Sequence, residues 1–201
     1  MAIEATEAAS PPGDVARHPL QHRWVLWYDS SKLKVVTETW ADSLKKIMGV
    51  DSIEDFWGLF NNVLPPSMLP VSCNYSVFKE GIMPMWEDNA NIKGGKFVLT
   101  VKGEGAAQLD DWWIRAVLAA IGETLESEVD PEVCGLVLSL RKGQHRIALW
   151  TKTCEKSRVI PVARKLKEAL KLPERLKFVF QTHNDAVHSC SSFQNEVRFE
   201  V

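Results

Sequence analysis

The sequence predicts an α+β fold in which one antiparallel sheet carries helices on one of its faces. Two observations favour this arrangement. Predicted strands occur in runs, with neighbours often joined by hairpins, and only three helical patterns interrupt them. A parallel sheet built from βαβ units would instead alternate strands and helices along the chain. The opposite face of the sheet is then open for a ligand.

Length and composition predict one domain preceded by a short arm. The chain has 201 residues, of which 45% are hydrophobic and 25% are charged, as is usual for a globular domain with a substantial core. Residues 1–17 (MAIEATEAASPPGDVAR) lack large apolar side chains after Ile3. We therefore expect a flexible arm over residues 1–17 and a folded domain over residues 18–201.

Charge and cysteine content exclude several classes of protein. A net charge of -2 gives no overall basic field of the kind found on duplex-binding proteins. The four cysteines are widely spaced, so we expect reduced thiols, no zinc site and no other cofactor. The longest apolar runs are far shorter than the roughly 20 residues of a membrane span, and the N-terminus is acidic where a signal peptide would be basic. These features predict a soluble cytoplasmic protein, with the nucleus as a second compartment.

Strands are predicted from alternation or from aromatic and β-branched content. Residues 23–28 (RWVLWY) are apolar on both faces, as in a central strand. Residues 35–44 predict a weaker second strand with Trp40 at its edge, and residues 142–145 form the basic tip of a hairpin. The remaining strands are predicted at residues 73–79, 96–102, 133–141, 146–152, 177–181 and 196–201.

Helices are predicted where apolar residues recur at helical spacing. The first begins at Asp51-x-x-Glu54, which resembles a capping box, and Phe56 and Trp57 follow on its apolar side. The second has acidic residues in its first turn, and the third carries a Lys/Arg run that is most simply a solvated face. The predicted helices cover residues 51–62, 109–125 and 158–170, and the polar segment 182–195 connects the last two strands.

One loop places a tryptophan beside carboxylates. Residues 81–95 (GIMPMWEDNANIKGG) have the Gly, Pro and Asn content of an ordered loop, with Trp86 next to Glu87 and Asp88. An indole beside a carboxylate suits a flat, cationic ligand, since cation–π attraction contributes about 0.5–2 kcal/mol and a hydrogen bond to a charged acceptor about 1.5–3 kcal/mol. The alternative, a tryptophan that only covers the core, is also consistent with this pattern.

Two tryptophans in polar surroundings, Trp40 and Trp86, accompany a basic hairpin with Arg141, Lys142 and Arg146. Aromatic side chains stack on bases, and Arg or Lys holds phosphates. The chain lacks GxGxxG, Walker, HExxH and GxSxG motifs. His183, Asp185 and the free cysteines could form part of a hydrolytic site, but such neighbours are expected by chance in a chain with five histidines. The residues alone therefore predict a nucleotide-binding module without catalytic activity.

Several motifs in register give the chain a clear resemblance from residue 18 to the C-terminus. They include His18-Pro-Leu-Gln, Trp24-Val-Leu-Trp27, Glu54-Asp-Phe-Trp57, Gly81-Ile-x-Pro84-Met-Trp86-Glu87-Asp88, Ile121-Gly-Glu123 and Ile147-Ala-Leu-Trp150. With these motifs the sequence resembles the eukaryotic initiation factor 4E family of messenger-RNA cap-binding proteins. The resemblance implies a curved antiparallel sheet of about eight strands, three helices on its convex face and the cap in its concave face.

The resemblance also implies a role for each cap-binding residue. Trp40 and Trp86 would sandwich the 7-methylguanine ring, and Glu87 would accept hydrogen bonds from its imino and amino groups. Trp150 would touch the methyl group. Two arginines, Arg141 and Arg146, would bind the phosphate chain, although Gly143 stands where many members of the family carry a lysine.

A second implied surface on the helical side would bind a helix with the pattern Tyr-x-x-x-x-Leu-apolar, as in the scaffold factor 4G and its competing repressors. Its residues would be His18, Pro19, Leu20, Ile53, Trp57 and Leu118. A core role for Trp57 remains open, because its helix needs an inward face. The resemblance implies a monomeric, non-enzymatic initiation factor. The alternatives are a cap-binding repressor paralogue, against which Trp40 argues, and a cap-processing enzyme.

Overall fold

The computed structural model describes residues 17–30, 43–127, 129, 131–189 and 195–201, with only the backbone described at 104–106. Trp40 and most of the strand predicted at residues 35–44 lie outside these ranges. Residues 1–16 of the predicted arm also lie outside them. Arg17 is described, and its guanidinium donates to the Asp55 carboxylate at 2.6 Å.

Within the described residues one antiparallel sheet of eight strands runs through the molecule, in the order β2-β1-β3-β5-β6-β4-β7-β8. The α+β fold class predicted from the sequence is confirmed. The strands are β1 (Pro19–Ser30), β2 (Lys45–Ser52), β3 (Cys73–Lys79), β4 (Gly95–Val101), β5 (Val133–Arg141), β6 (Gln144–Thr151), β7 (Phe178–Thr182) and β8 (Phe199–Glu200).

The core lies on one face of this sheet. Alternate strand residues such as Trp24, Leu136 and Leu149 are fully buried there, as the period of two requires. They pack in one cluster with apolar residues of three helices. We call the face of the sheet that packs against the helices the helix-covered face, and the opposite face the open face. The three helices are α1 (Ile53–Phe60), α2 (Leu109–Ile121) and α3 (Lys156–Ala169).

The start of α1 was predicted two residues early, because a strand occupies the preceding residues. Strand β2 pairs along β1, with Val25 opposite Gly49, and it continues to Ser52. The Ser52 hydroxyl then accepts a hydrogen bond from the Asp55 amide at 3.1 Å and caps the helix. Strand β2 was not predicted because two lysines and a glycine interrupt its apolar alternation. An edge strand tolerates such a composition.

A fourth helix, α4 (His183–Ser189), occupies the polar segment that was predicted as a connection. The Thr182 hydroxyl accepts from the Asp185 amide at 3.1 Å and so caps its first turn. Only His183 and Ala186 of this helix are buried. The helix was missed because so short an inward face leaves no apolar periodicity to detect.

Gly135 is expected to be essential for packing on the open face. A Cβ atom there would lie 2.4 Å from Cγ of Phe78, so the ring would have to move. We expect Gly135→Ala to lower the free energy of unfolding by about 1–3 kcal/mol, the usual cost of overpacking. Urea unfolding would measure this change.

Gly58→Ala is the matched control, because nothing lies within 4 Å of the Cβ position in this exposed turn of α1. Alanine there should stabilise the protein by about 0.5–1 kcal/mol. Equal unfolding curves for Gly135→Ala and the wild type would show that Phe78 is not tightly held.

Candidate functional site

The open face is built from rows of side chains that run across the strands. One row is polar and joins Asp29, Asn74, Ser139, Arg146 and Thr100 on five neighbouring strands. A parallel row four residues further along β3 contains Phe78, Gly135, Trp150, Lys96 and Gln181. Because side chains alternate along each strand, both rows project away from the helices.

The loop between β3 and β4 carries Trp86 and Glu87 and is held by two of its own polar side chains. The Asp88 carboxylate accepts hydrogen bonds from the amides of Met83 and Ala90, at 3.0 and 2.9 Å. The fully buried Asn91 amide donates to two loop carbonyls, each at 2.8 Å. Glu87 and Asp88 therefore differ in role, because the Asp88 carboxylate is already occupied by hydrogen bonds within the loop.

Glu87 is exposed, and within the described part of the chain its carboxylate has no hydrogen-bond or ion-pair partner. An exposed carboxylate on a rigid loop is available to accept hydrogen bonds from a ligand. Its neighbour Trp86 is half-buried and packs against a small apolar cluster of the open face. This cluster consists of Phe78, Val98, Cys134, Ala148 and Trp150.

Trp150 forms part of the floor of the open face. It is only 5% exposed, its ring meets Phe78 edge-on at 5.4 Å, and the His183 ring lies 4.1 Å away. Burial and then the charge of Lys96 lower the pKa of His183 to about 3, so this imidazole is neutral at neutral pH.

His183 is thus not poised as a general base. The nearby Asp185 forms an ion pair with Arg198 at 3.0 Å. The arrangement does not support the hydrolytic site considered for His183 and Asp185.

Three cations lie on the open face beside these aromatic rings. Burial lowers the pKa of Arg141, although Asp29 partly offsets this effect, and burial followed by repulsion from Arg141 lowers the pKa of Arg146. Burial and then the charge of Arg146 lower the pKa of Lys96 to about 8. Its ammonium lies 6.0 Å from the centre of the Trp86 ring. Cations that are partly desolvated and repel each other form a site for an anion.

The helical side presents a second surface around the start of β1. The His18 amide and ring bind the Glu54 carboxylate at 3.0 and 2.7 Å, and the Ile53 amide donates to the His18 carbonyl at 2.9 Å. The hydrogen bond to the His18 ring, and after it the one from the His18 amide, lowers the pKa of Glu54 to about 2. His22 binds Glu123 just beyond the end of α2. The start of β1 therefore joins α1 to α2.

Exposed apolar side chains flank this junction. Ile53, Trp57 and Leu118 are 45%, 41% and 38% exposed. Within α1 the inward position belongs to Phe56, which is 3% exposed and touches Trp57 edge-on. Trp57 is therefore not a core residue, and the core role left open by its spacing is excluded.

Comparison with known proteins identifies the family of this chain. A family model described as Eukaryotic initiation factor 4E matches residues 19–198, nearly the whole chain. The chain belongs to the eukaryotic initiation factor 4E family. Eukaryotic translation initiation factor 4E of Candida albicans is 43% identical over 171 residues, which cover 84% of this chain and 81% of that protein.

Solved structures of the initiation factor 4E family share the fold. Ascaris suum eIF4E-3 in complex with the m7G cap has a TM-score of 0.81 and 32% identity, covering 92% of this chain and 98% of that one. C. elegans eIF4E-3 in complex with the 4E-binding protein Mextli has a TM-score of 0.81 and 30% identity, covering 92% and 100%.

Five of the six residues implied for cap binding lie on or beside the open face, and the sixth, Trp40, is outside the described residues. The five are Trp86, Glu87, Arg141, Arg146 and Trp150. Sequence reasoning missed Lys96, although the alternating pattern of residues 96–102 could have identified it. That pattern places a lysine on the same side as Val98 and Thr100, and therefore on the open face.

No helix in the described ranges is long and apolar enough to span a membrane.

Proposed function

We propose that the open face binds the 7-methylguanosine cap of messenger RNA, and that the helical side recruits the bound message to the initiation machinery through a scaffold protein. The observation that carries this proposal is the aromatic and carboxylate pair, Trp86 and Glu87, held on a rigid loop beside three cations. The likeness to a relative in complex with the m7G cap supports it.

Recognition of the base follows from its charge. Methylation at N7 makes guanine cationic, which strengthens stacking on the electron-rich indole of Trp86. It also makes the imino and amino protons of the base better donors to the Glu87 carboxylate. We propose Trp40 as the second stacking ring and Trp150, at the floor of the site, as a contact for the methyl group. The site then distinguishes the methylated base from GTP by charge.

The phosphate chain has three cationic partners in this proposal. Arg141 and Arg146 follow from the resemblance, and we add Lys96 because it lies on the open face and is repelled by the charge of Arg146. Burial opposes the charge on each of them, and Arg146 further opposes the charge on Lys96. A phosphate anion relieves both costs, because its charge favours the protonated forms. A local cluster of this kind lets a chain of net charge -2 hold an anion.

The partner surface is proposed for a helix of the pattern Tyr-x-x-x-x-Leu-apolar, carried by a factor 4G-type scaffold or a competing repressor. Its residues are His18, Pro19, Leu20, Ile53, Trp57 and Leu118. A relative of the same fold is known in complex with the 4E-binding protein Mextli. We propose that the chain acts in the cytoplasm as a monomer and has no enzymatic activity.

Lys96→Arg is expected to change the pH dependence of 7-methyl-GTP binding. The pKa of Lys96 is about 8 in the free protein, and a bound phosphate raises it. Above about pH 8, Lys96 therefore takes up a proton when the ligand binds. The affinity of the wild type therefore falls as the pH rises above about 8, whereas arginine keeps its charge. Calorimetric titration of both proteins at several pH values would measure the difference.

The imino proton of the ligand also dissociates in alkaline solution, but it does so equally for both proteins. The comparison between the variant and the wild type therefore isolates the lysine. Parallel pH profiles for the two proteins would exclude a role for Lys96 in holding the phosphates.

Translation in an extract depleted of its own cap-binding factor tests the function as a whole. Addition of the chain should restore translation of a capped reporter and leave an uncapped reporter unchanged. The Trp57→Ala variant, which keeps the cap site, should fail to restore it. If the wild-type chain bound the capped reporter but lowered its translation, the chain would be a repressor paralogue.

A further inference from the structure

A chain of hydrogen bonds links three strands at the polar end of the open face. Asp29 on β1 and Asn74 on β3 stand opposite each other in the sheet. The Asn74 amide nitrogen donates to the buried Asp29 carboxylate at 2.7 Å. The Asn74 amide oxygen accepts from Nη1 of Arg141 at 3.0 Å. The three side chains thus form a continuous path from a carboxylate to a guanidinium.

The same guanidinium nitrogen is held by backbone as well. Nη1 of Arg141 lies 2.9 Å from the Leu140 carbonyl and 3.3 Å from the Cys73 carbonyl. At least three oxygen atoms of the described residues therefore share the two protons of this nitrogen. One corner of the guanidinium is fixed at the end of β5, beside the turn to β6, and this sets the plane of the group.

Asp29 decides which way the Asn74 amide points. An ionised carboxylate accepts hydrogen bonds and cannot donate them, so the amide must turn its nitrogen toward Asp29. Its oxygen then has to face Arg141, where it can accept. With the opposite orientation two donors would meet at the guanidinium and two acceptors at Asp29. The buried carboxylate thus acts on the arginine through the amide.

We propose that Asp29 and Asn74 are positioning residues that hold Arg141 ready for the phosphate chain of the cap. This inference rests on the proposed function, in which Arg141 binds phosphate. A flexible arginine loses rotamer freedom when it binds, whereas one held in place before binding loses less. The two residues therefore increase affinity without touching the ligand.

Two ligands separate this role from a general structural one. The probes are 7-methyl-GTP, which carries phosphates, and 7-methylguanosine, which does not. We expect Asn74→Ala to weaken binding of 7-methyl-GTP by about five- to tenfold, the size of effect that loss of one typical intramolecular hydrogen bond has. Binding of 7-methylguanosine should change less than about twofold. Asp29→Asn, which keeps the side-chain volume but removes the constraint on the amide, should shift binding in the same direction by a smaller factor.

A double-mutant cycle gives the sharper test. In a background of Arg141→Ala, the further change Asn74→Ala should have almost no effect on 7-methyl-GTP binding, because it acts only through the arginine. Ser76→Ala is the matched control. Ser76 lies two residues along β3, faces the same side and is buried. It should leave the affinities for both ligands nearly unchanged. Thermal melting checks that each variant is folded, and Asp29→Asn decides the case if Asn74→Ala does not fold.

Several results would overturn the positioning role alone. These are equal losses for both ligands, an unchanged affinity for 7-methyl-GTP in both variants, and an Asn74→Ala effect that persists in full without Arg141. A different pattern would overturn the proposed function as well. In that pattern the wild type binds GTP as tightly as 7-methyl-GTP, or Arg141→Ala leaves the preference for the phosphorylated ligand intact.

Discussion

Glu87→Ala is expected to weaken binding of 7-methyl-GTP by about a hundredfold or more, because each hydrogen bond to a charged acceptor contributes about 1.5–3 kcal/mol. The variant loses two such bonds, from the imino and amino groups of the base. It also loses the negative charge that favours a cationic ring. The fold should be unaffected, since Glu87 is exposed and its carboxylate has no hydrogen-bond or ion-pair partner among the described residues. Fluorescence titration and thermal melting would measure the two effects.

The neighbouring carboxylate provides a matched comparison. Asp88 accepts hydrogen bonds from the amides of Met83 and Ala90, so Asp88→Ala leaves both amides without this acceptor. We expect Asp88→Ala to lower stability by about 1–3 kcal/mol, and Glu87→Ala to leave it unchanged. An unaltered cap affinity in Glu87→Ala would contradict the assignment of this residue as the acceptor for the base.

Trp57→Ala is expected to remove binding of a peptide helix of the pattern Tyr-x-x-x-x-Leu-apolar while leaving cap binding intact. Truncation of a tryptophan at the centre of an interface typically costs about 2–4 kcal/mol, or roughly 30- to 1,000-fold in affinity. Trp57 lies on α1, on the side opposite the open face, and is exposed. Calorimetry with the peptide and with 7-methyl-GTP would measure both affinities in the same preparation.

Two other substitutions bracket this result. Met68→Ala removes an exposed apolar side chain close to the start of α2, where the Ser67 hydroxyl donates to the Asp110 carboxylate at 2.6 Å. This change should alter neither affinity. Phe56→Ala opens a cavity in the core and should lower stability by about 3–5 kcal/mol. If Trp57→Ala lost the cap and the peptide equally, as a core variant would, Trp57 would be a structural residue.

The regular part of the fold was predictable because its residues repeat with a clear period. Strand β3 was predicted at its observed bounds, and so was β5, since apolar residues alternate along both. Strand β2 was missed because Lys45, Lys46 and Gly49 interrupt its alternation, and pairing with β1 decides its structure. The short helix α4 was missed because only two of its side chains are buried. In both cases tertiary contacts outweigh local preference.

The candidate site was predictable where its chemistry is concentrated in a short segment. Trp86 and Glu87 stand together in the sequence, but the sequence could not separate the role of Glu87 from that of Asp88. That distinction depends on which amides the loop brings close to each carboxylate. The link from Asp29 through Asn74 to Arg141 joins residues 45 and 67 positions apart. Such contacts follow from strand order and register, which periodicity alone does not determine.

Tryptophan fluorescence during titration with 7-methyl-GTP, with GTP as the control, tests the cap site most directly. The chain contains eight tryptophans, and stacking on Trp86 should quench part of their emission. We expect strong quenching by the methylated nucleotide at a concentration far below that needed for GTP, and loss of this quenching in Trp86→Ala. Equal responses to the two nucleotides, or no response to either, would contradict cap binding by the open face.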